Sequence, residues 1–573
     1  MEQQIKKILK GVKRKRGNNV IDPDEIFLDV RNMPNFNRGR LEGNIERALG
    51  KKAGYGILAF AVLAVLIFGG RLWALQIKNY GIYAARSEIN RLRQAIVFSE
   101  RGKILDRNGV PLAINGVDVL DGGYRDRLYK NIDGLGNIIG FVKYPQKDKF
   151  GYYYQLQTVG MDGVEKAYNA VLSGKDGRKI VEVNALNQTQ SESIYQEAEV
   201  GADIKLAIDS RLSKVLYDYI KALSAERNFT GGSALIMDIE TGELIAMTNY
   251  PDYSPEALAE GDVELLKTYS SDERKPYLFR PVDGLFTPGS IVKPFVAIGV
   301  LNEKIIDPRK EIISTGSISI PNEYDPERES IFRDWKAHGA VDMRRALAVS
   351  SDVYFYEVGG GFEKQPGLGI YGIEKYLRLF GFGRAVEDPL LRGEAGTIPN
   401  PEWKDEVFDG DPWRIGDTYN TAIGQYSVQV TPIQVVRAMG AIANSGVIVE
   451  PTILKEDGTQ PIRKIQTGIP AEYFKIVKEG MRQGVTEGTA AALNIPGTRI
   501  AAKTGTAEIG TVKKNYVNSW VTGFFPYDRP RYAFAAVMER GPHDNTVGAS
   551  YVMKQFFEWL VLNAPEYLEA EAE

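Results

Sequence analysis

The stretch from Phe286 to Ala297, Phe-Thr-Pro-Gly-Ser-Ile-Val-Lys-Pro-Phe-Val-Ala, decides how the rest of the chain is interpreted. Thr287 is typical of a helix cap, and apolar residues recur at roughly helical spacing as far as Leu301. Residues three apart on a helix are neighbours, so Ser290 and Lys293 share a face. The stretch therefore predicts a helix that presents a hydroxyl and an amine side by side.

A serine hydroxyl becomes a good nucleophile only when a neighbouring base takes its proton. The chain holds two histidines, His338 and His543, and no cysteine. A Ser-His-Asp arrangement would need one of those two histidines, whereas Ser290 and Lys293 already lie together. The Ser-x-x-Lys pattern alone is weak, because it also occurs by chance on solvated helices.

Two further stretches strengthen this interpretation, Ser350-Ser351-Asp352 and Lys503-Thr504-Gly505-Thr506. With the Ser290 stretch they resemble, in order and spacing, the three motifs of penicillin-binding proteins and class A β-lactamases. The chain resembles in particular the class B penicillin-binding proteins, monofunctional transpeptidases that crosslink peptidoglycan. The resemblance extends over nearly all of residues 53–563.

The resemblance implies a role for each matching residue. Ser290 would attack the carbonyl between two D-alanines, Lys293 would take its proton, and Ser350 would relay protons to the leaving amine. Lys503 would be the second cation that, with burial, favours an unprotonated Lys293. The substrate's terminal carboxylate would be held by Lys503 and by the hydroxyls of Thr504 and Thr506, and Gly505 would leave room for an extended peptide at a sheet edge.

Asp352 departs from the commoner pattern of the family, which has asparagine there. An ionised Asp352 beside Lys293 would oppose the loss of the lysine proton. Elongation-type members carry aspartate at this place, and residues 332–339, Phe-Arg-Asp-Trp-Lys-Ala-His-Gly, also resemble the elongation-type penicillin-binding protein 2. Asp352 is therefore retained among the candidate catalytic residues.

Composition indicates more than one domain, because 573 residues with 43% apolar content exceed a single core. The formal charge of −3 carries no nucleic-acid signature. The absence of cysteine from the chain rules out disulfides and thiolate chemistry and fits an oxidising exterior.

The N-terminal region has two parts. Residues 1–52 form a basic tail, expected to be solvated or attracted to anionic lipid. Residues 53–70 are uncharged and reach about 27 Å as a helix, close to the ~30 Å of a bilayer core, and 71–75 extend the span. The upstream lysines and arginines predict a cytoplasmic N-terminus, with everything after roughly residue 78 outside the membrane.

Residues 79–205 are predicted to form an elongated pedestal domain without catalytic residues. Asn108-Gly109 within the run 101–113 is typical of a tight hairpin turn. That run, with 163–168 and 172–177, resembles the pedestal of the class B family.

Residues 206–573 are predicted to form the transpeptidase domain, of the α+β class. Its expected parts are a helix over 210–227, a hairpin over 233–248, three late strands over 499–506, 518–525 and 531–539, and a last helix over 550–563. One five-stranded antiparallel sheet flanked by helices is the simplest assembly, with Lys503 on an edge strand facing Ser290.

Two other positions are left open. Tyr426 stands where the family usually has glycine, and it either packs ordinarily or lines the cleft. Asp325, Asp334 and His338 are weak candidates for zinc, but without cysteine the set is incomplete, and we expect a hydrogen-bonded loop histidine and no metal or other cofactor.

The sequence therefore predicts a serine-type D,D-transpeptidase of cell-wall elongation and cell shape, acylated by β-lactams. Its expected partners are peptidoglycan stem peptides, the membrane and a membrane glycosyltransferase of the elongation complex. The alternatives are a division-specific transpeptidase, a D,D-carboxypeptidase, a β-lactamase, or a non-catalytic scaffold or β-lactam sensor. A β-lactamase is disfavoured because no motif clearly supplies its deacylating glutamate.

Overall fold

The computed structural model describes residues 51–568 apart from 120–122, 131–132, 148, 150–152, 185–187, 323–324, 326, 456–461 and 512–513. Most of the predicted basic tail, residues 1–50, lies outside the described residues. The described residues divide into two compact units, and the smaller one comprises residues 51–93 and 183–184.

The smaller unit contains the predicted apolar helix. Helix α1 is Lys51–Trp73, a π-helical turn follows at Ala74–Lys78, and α2 is Tyr80–Arg91. The 28 residues of Lys51–Lys78 are long and apolar enough to cross a membrane, and their apolar side chains are not buried against the protein. An apolar helix that buries nothing is compatible with a single-pass membrane anchor.

The larger unit begins with a series of short elements, in the region predicted to be the pedestal. The strands are β1 Leu92–Val97, β2 Ile104–Leu105, β3 Pro111–Val119, β4 Arg125–Tyr129, β5 Val142–Lys143, β6 Gln146–Lys147, β7 Tyr153–Gln155, β8 Val159–Gly160, β9 Gly177–Val183, β10 Thr189–Gln196 and β11 Ile204–Lys205. The helices are α3 Gly136–Ile139, α4 Gly163–Ala167 and α5 Asn169–Leu172. Gly109, with φ of 83°, closes the predicted tight turn between β2 and β3.

A buried cluster of charges lies in this region. The Glu165 carboxylate accepts a hydrogen bond from Arg101 Nε at 2.5 Å and another from Arg127 Nε at 2.8 Å. Arg101 also donates to the Glu165 carbonyl, and Arg127 to the carbonyl of Gly102. The three side chains are at most 5% exposed. They tie the N-terminal strands to α4 through donors with fixed geometry.

The remaining residues form the second part of this unit. Its strands are β12 Gly231–Asp238, β13 Leu244–Tyr250, β14 Ile312–Ser314, β15 Ser317–Pro321, β16 Glu329–Arg333, β17 Gly339–Val341, β18 Val447–Val449, β19 Lys464–Gln466, β20 Ala501–Thr511, β21 Lys514–Phe525 and β22 Tyr532–Pro542. Its α-helices are α6 Ser210–Arg227, α7 Pro255–Glu260, α8 Val263–Ser271, α9 Arg280–Asp283, α10 Lys293–Asn302, α11 Met343–Val349, α12 Asp352–Gly360, α13 Ile370–Leu379, α14 Pro401–Val407, α15 Ile415–Ala422, α16 Pro432–Ala443, α17 Ala471–Glu487 and α18 Ala549–Asn563. Short 3₁₀ turns occur at Gly289–Val292, Ala491–Leu493 and Pro565–Tyr567.

The predicted five-stranded antiparallel sheet is present, in the order β13-β12-β22-β21-β20. Side chains alternate across it, as strands require. Leu235 and Met237 of β12 join the cluster that contains α16, whereas Ala234 and Ile236 join the cluster that contains α6 and α18. The sheet is thus buried on both faces, and β20 is left at its edge beside the helical segments.

Candidate active site

Ser290 lies in the 3₁₀ turn Gly289–Val292, and α10 begins directly afterwards at Lys293. Side chains at i and i+3 eclipse in a 3₁₀ turn, which places Ser290 and Lys293 on one face. The predicted cap at Thr287 is wrong: no side chain caps either helical segment. The carbonyl of Thr287 instead accepts a hydrogen bond from Trp520 Nε1 at 3.0 Å, so the core of the sheet fixes the start of this segment.

Close backbone contacts hold the Ser290 turn against β20. A Cβ at residue 505 would lie 2.8 Å from the Pro288 carbonyl oxygen and 2.9 Å from Ile291 Cγ2. Glycine at 505 is therefore required for the strand to approach the turn, besides lining the cleft. On the other side of the turn, the Gly289 amide donates to the Gly424 carbonyl at 2.9 Å.

The Lys293 ammonium is fully buried and points at the Ser350–Asp352 segment. It donates to the Ser350 carbonyl at 2.8 Å, lies 3.4 Å from Ser350 Oγ, and forms a 2.6 Å ion pair with Asp352 Oδ1. Among the described contacts of this ammonium there is no hydrogen bond to Ser290. Such bonds are often long in ligand-free sites and shorten when substrate is bound.

A sharp backbone turn presents Ser350. This residue ends α11 in the left-handed conformation, with φ of 60° and ψ of 39°, and α12 begins two residues later at Asp352. Ser351 caps α12 by accepting a hydrogen bond from the Tyr354 amide. A non-glycine residue in this conformation is uncommon and is typical of sites where the surrounding fold fixes the backbone.

Lys503 completes the network from the opposite side. Its ammonium is buried and donates to Ser350 Oγ at 2.8 Å and to the Thr504 carbonyl at 2.8 Å. Burial, together with the charge of Lys293, holds the pKa of Lys503 well below its ordinary value, although Asp352 opposes this. The sequence predicts Lys503 to be a cation that acts on Lys293; in the structure, burial also disfavours the protonated form of Lys503 itself.

These groups border a cleft of about 620 Å³. On β20, Thr504 and Thr506 open towards it, while Lys503, Gly505 and Ala507 are buried, as strand alternation dictates. Thr504 Oγ1 donates to Thr489 Oγ1 at 2.7 Å. Every residue predicted to be catalytic or substrate-binding is thus brought to this cleft or to the buried layer directly beneath it.

Asp334 is a structural support of the site that the sequence indicated only as a weak zinc candidate. Its Oδ2 accepts hydrogen bonds from Ser351 Oγ at 2.8 Å and from the Val353 amide at 3.0 Å. Burial would raise the pKa of Asp334, but these donors hold it below the ordinary value. The carboxylate thereby orients the start of α12, next to Ser350 and Asp352.

The other two zinc candidates do not join Asp334 in a three-residue set. His338 Nε2 lies 3.4 Å from Asp334 Oδ1, and burial lowers the pKa of His338. Asp325 instead pairs with Arg328 at 3.1 Å. In the part of the chain that the structure describes, no group of three potential ligands is arranged to hold a metal ion.

Tyr426 packs against aromatic neighbours. Its ring contacts Trp413 edge-to-face with centroids 5.7 Å apart, and Trp403 at 6.2 Å. Its φ of 63° lies in the left-handed region, which glycine adopts without steric cost. The interpretation of an ordinarily packed tyrosine agrees with these contacts.

Sequence reasoning missed several residues that line the cleft, among them Trp335, Gln425, Thr489, Glu508 and Tyr551. Trp335 is 56% exposed and is held by a hydrogen bond from Nε1 to the Val349 carbonyl at 3.2 Å. The period-two pattern along β20 could have indicated Glu508, because residues 504, 506 and 508 share a strand face. The others carry no local signal, since their positions depend on loop packing.

A seryl hydroxyl beside two buried lysines, a bridging serine and a Lys-Thr-Gly-Thr edge strand define a serine acyltransferase of the penicillin-recognising class. The family model of the penicillin binding protein transpeptidase domain matches residues 232–558, and that of the penicillin-binding protein dimerisation domain matches residues 123–206. The chain belongs to the class B penicillin-binding proteins.

The similar proteins are peptidoglycan transpeptidases and penicillin-binding proteins that match most of the chain. The peptidoglycan D,D-transpeptidase MrdA of Escherichia coli is 28% identical, over 88% of this chain and 93% of its own. A solved complex between penicillin-binding protein 2 and MreC from Helicobacter pylori is similar with a TM-score of 0.68 at 26% identity, covering 82% of this chain and 99% of that chain. The structure called "Structural coordination of polymerization and crosslinking by a peptidoglycan synthase complex" has a TM-score of 0.67 at 26% identity, covering 91% of this chain and 99% of that chain.

Proposed function

We propose that the protein is a peptidoglycan D,D-transpeptidase of cell-wall elongation that works through an acyl-enzyme on Ser290. The family, and the name that MrdA carries in several species, support the reaction class. The observation that carries the residue assignment is the continuous contact from Lys293 through Ser350 to Lys503 beside the Ser290 turn.

Substrate binding uses the edge of β20. An extended stem peptide pairs with this strand, and the hydroxyls of Thr504 and Thr506 hold its terminal carboxylate. The negative charge next to Lys503 favours protonation of that lysine. Binding therefore changes the charge distribution of the site before any bond is broken.

A proton then moves along the contacts of Ser350. Lys293 gives the proton of its ion pair with Asp352 to Ser350 Oγ, while Ser350 gives its own hydroxyl proton to Lys503. Lys293 is left as a neutral amine one 3₁₀ turn from Ser290. Ser350 Oγ lies within 3.4 Å of the Lys293 ammonium and 2.8 Å of the Lys503 amine, so the exchange needs no movement of the chain.

Acylation follows. Ser290 Oγ attacks the carbonyl carbon of the penultimate D-alanine, and its proton passes to Lys293. The amide N–H groups of Ser290 and Thr506 stabilise the oxyanion, and a lost donor of this kind typically costs ~10²–10³ in rate. The C–N bond breaks as the leaving D-alanine nitrogen takes the proton that Lys293 passes on through Ser350, so the acyl-enzyme remains and Lys293 is neutral again.

Deacylation reverses these roles. The amine of a second stem peptide attacks the ester carbonyl, Lys293 accepts the amine proton, and Ser290 leaves with a proton returned to its oxygen. If water attacks instead of the amine, the product is a trimmed stem and the enzyme acts as a D,D-carboxypeptidase. The two outcomes share the acylation half, so only the product distinguishes them.

The residues outside the cleft suggest the setting of the reaction. We assign residues 1–52 to a cytoplasmic tail, 53–75 to the membrane span, 79–205 to the pedestal and 206–573 to the transpeptidase domain. The catalytic domain would then lie outside the membrane. The similar structure of a peptidoglycan synthase complex that coordinates polymerization and crosslinking supports a membrane glycosyltransferase of the elongation complex as partner. The similar complex of penicillin-binding protein 2 with MreC supports a protein of that kind as a second partner.

Labelling with a fluorescent penicillin tests the assignment. We expect the wild-type protein to be labelled, the Ser290→Ala variant to stay dark, and the control Ser271→Ala, on exposed helix α8, to be labelled normally. A dark wild-type protein would indicate a scaffold instead of an enzyme. Rapid turnover of the label would indicate a β-lactamase.

Reconstitution with lipid II and a membrane polymerase tests the reaction itself. Mass analysis of the product should show crosslinked stems with wild-type protein and none with Ser290→Ala. Trimmed but uncrosslinked stems would assign a carboxypeptidase. Depletion in cells separates elongation from division, since loss of an elongation enzyme should give rounded cells and loss of a division enzyme filaments.

A further inference from the structure

We propose that Glu508 recognises an ammonium group on the side chain of the donor residue directly before the D-alanyl-D-alanine end. This inference rests on the proposed function, since it names what the same cleft selects in its donor peptide. It assigns a specificity-determining residue and the chemical class of its ligand, a diamino acid.

The first argument is position on the strand. Thr504, Thr506 and Glu508 alternate with the buried residues of β20 and lie on its open face. Glu508 pairs in register with Val517 of β21, so its place on the strand is fixed. It lies about 7 Å beyond Thr506, which is two residues at ~3.3–3.4 Å each.

The second argument is the direction of the donor. We take the donor to be extended, to pair antiparallel with β20, and to have its C-terminal carboxylate at Thr504 and Thr506. Residues that precede the donor's C-terminus then lie beside β20 residues of higher number. The residue before the D-alanyl-D-alanine end then lies alongside residues 507–509. Its side chain is within reach of Glu508.

The third argument is charge. Of the described residues that line the cleft, Asp352 and Glu508 carry the formal charges, and both are acidic. Asp352 is paired with Lys293 at 2.6 Å. Within the described part of the chain, the exposed Glu508 side chain has no ion pair or hydrogen bond. Among the described residues that line the cleft, Glu508 is thus the charged residue without a partner, and a carboxylate binds a cation favourably.

The reaction supplies that cation. Crosslinking requires every stem peptide to carry an amine as well as a D-alanyl-D-alanine end, because each stem can act as acceptor or donor. The donor therefore brings an ammonium group of its own into the cleft, on a side chain long enough to reach a neighbouring strand position. Glu508 pairs with it there.

The test compares two soluble donor peptides that differ only before the D-alanyl-D-alanine end, one with L-lysine and one with the uncharged L-norleucine. The measured quantity is kcat/KM for D-alanine release by the full-length protein in detergent. An exposed ion pair supports a preference of about fivefold for lysine. Glu508→Gln should remove that preference, and Glu508→Asp should keep part of it. Glu472→Gln, an exposed carboxylate on α17 outside the cleft, should keep all of it.

Penicillin labelling of each variant separates the possible failures. If wild-type protein is neither labelled nor releases D-alanine, the proposed function fails. A second outcome is that wild-type protein is labelled and releases D-alanine, and that the ratio of kcat/KM for the lysine and norleucine peptides is the same in wild type and in a labelled Glu508→Gln variant. That outcome overturns the inference about Glu508 and leaves the proposed function standing.

Discussion

Two clusters of this molecule have the same formal composition, two basic side chains and one carboxylate, but they differ in the kind of basic side chain. In the pedestal, Glu165 lies between Arg101 and Arg127. In the active site, Asp352 pairs with Lys293, and Lys503 lies one hydroxyl away. Guanidinium groups remain charged at any accessible pH and bind in a fixed fork, whereas lysine ammonium groups can lose their proton on burial. The comparison teaches that arginines give a cluster a fixed charge and geometry, whereas lysines leave open a change of protonation.

The largest expected effect on acylation comes from placing an arginine, as in the pedestal cluster, at an active-site lysine. Lys503→Arg replaces an amine that can accept a proton from Ser350 with a guanidinium group that is always charged. We expect penicillin acylation to slow by ~10²–10⁴, the usual contribution of a general acid–base group. Stopped-flow acylation measures this rate, with Arg101→Lys as the matched control in the pedestal. Near-normal acylation by Lys503→Arg would show that Lys503 acts as a fixed charge.

The next effect comes from breaking the pedestal cluster. Glu165→Gln leaves two buried guanidinium groups without their carboxylate, and we expect a loss of about 3–5 kcal/mol of stability. Thermal unfolding of the detergent-solubilised protein should begin at a clearly lower temperature. The acylation rate of the remaining folded protein should not change. An unaltered unfolding temperature would mean that the cluster is hydrated.

A third carboxylate extends the comparison, because partly buried Asp252 is surrounded by backbone amides. It accepts hydrogen bonds from the N–H groups of Gly136, Asn137 and Tyr253. Burial raises the pKa of Asp252 from 3.8 to about 7 despite these donors. Between about pH 4 and pH 7 the folded state therefore binds more protons than the unfolded state, and stability falls as the pH rises through this window. Above pH 7 this contribution is constant.

Unfolding temperatures at pH 5, 6, 7 and 8 measure that dependence. We expect the decline between pH 5 and 7 to be shallower in Asp252→Asn than in wild type. Equal slopes in the two proteins would assign the decline to other groups.

The smallest expected effect on acylation comes from removing the charge of the active-site carboxylate, Asp352. Asp352→Asn keeps an oxygen that can accept from Lys293 and leaves the Ser350 bridge in place, so we expect acylation to slow by less than about tenfold. The rate of labelling by fluorescent penicillin checks this. Complete loss of labelling would show that the charge of Asp352 is required.

Much of the fold could be predicted because its signals are local. The helix predicted at 210–227 and the hairpin turn at 240–242 lie where expected, and the three late strands pair as proposed. Strand β20 continues to Thr511, five residues beyond the predicted end, because pairing with β21 alone sustains it. That extension carries Glu508, and its alternation is short, because Gly510 and Thr511 follow Ala507, Glu508 and Ile509.

The site was predictable in its residues but not in its electrostatics. Spacing indicated Ser290 and Lys293, yet the 3₁₀ geometry of the turn depends on contacts with Gly424 and Trp520, more than 130 residues away. The charge state of Lys503 depends on burial from several elements, which no local pattern records. The same applies to Asp334, whose partners surround it only after β14 and α12 have packed.

The free edge of β20 has a consequence for how this enzyme can evolve under antibiotic pressure. If the peptide is bound through main-chain amides and carbonyls, side-chain substitutions on the strand cannot remove those contacts. A Cβ at Gly505 would collide with the turn that carries Ser290. Variants that exclude an inhibitor should therefore arise among bordering side chains such as Trp335, Thr489 and Tyr551, where shape can change while the grip on the natural peptide persists.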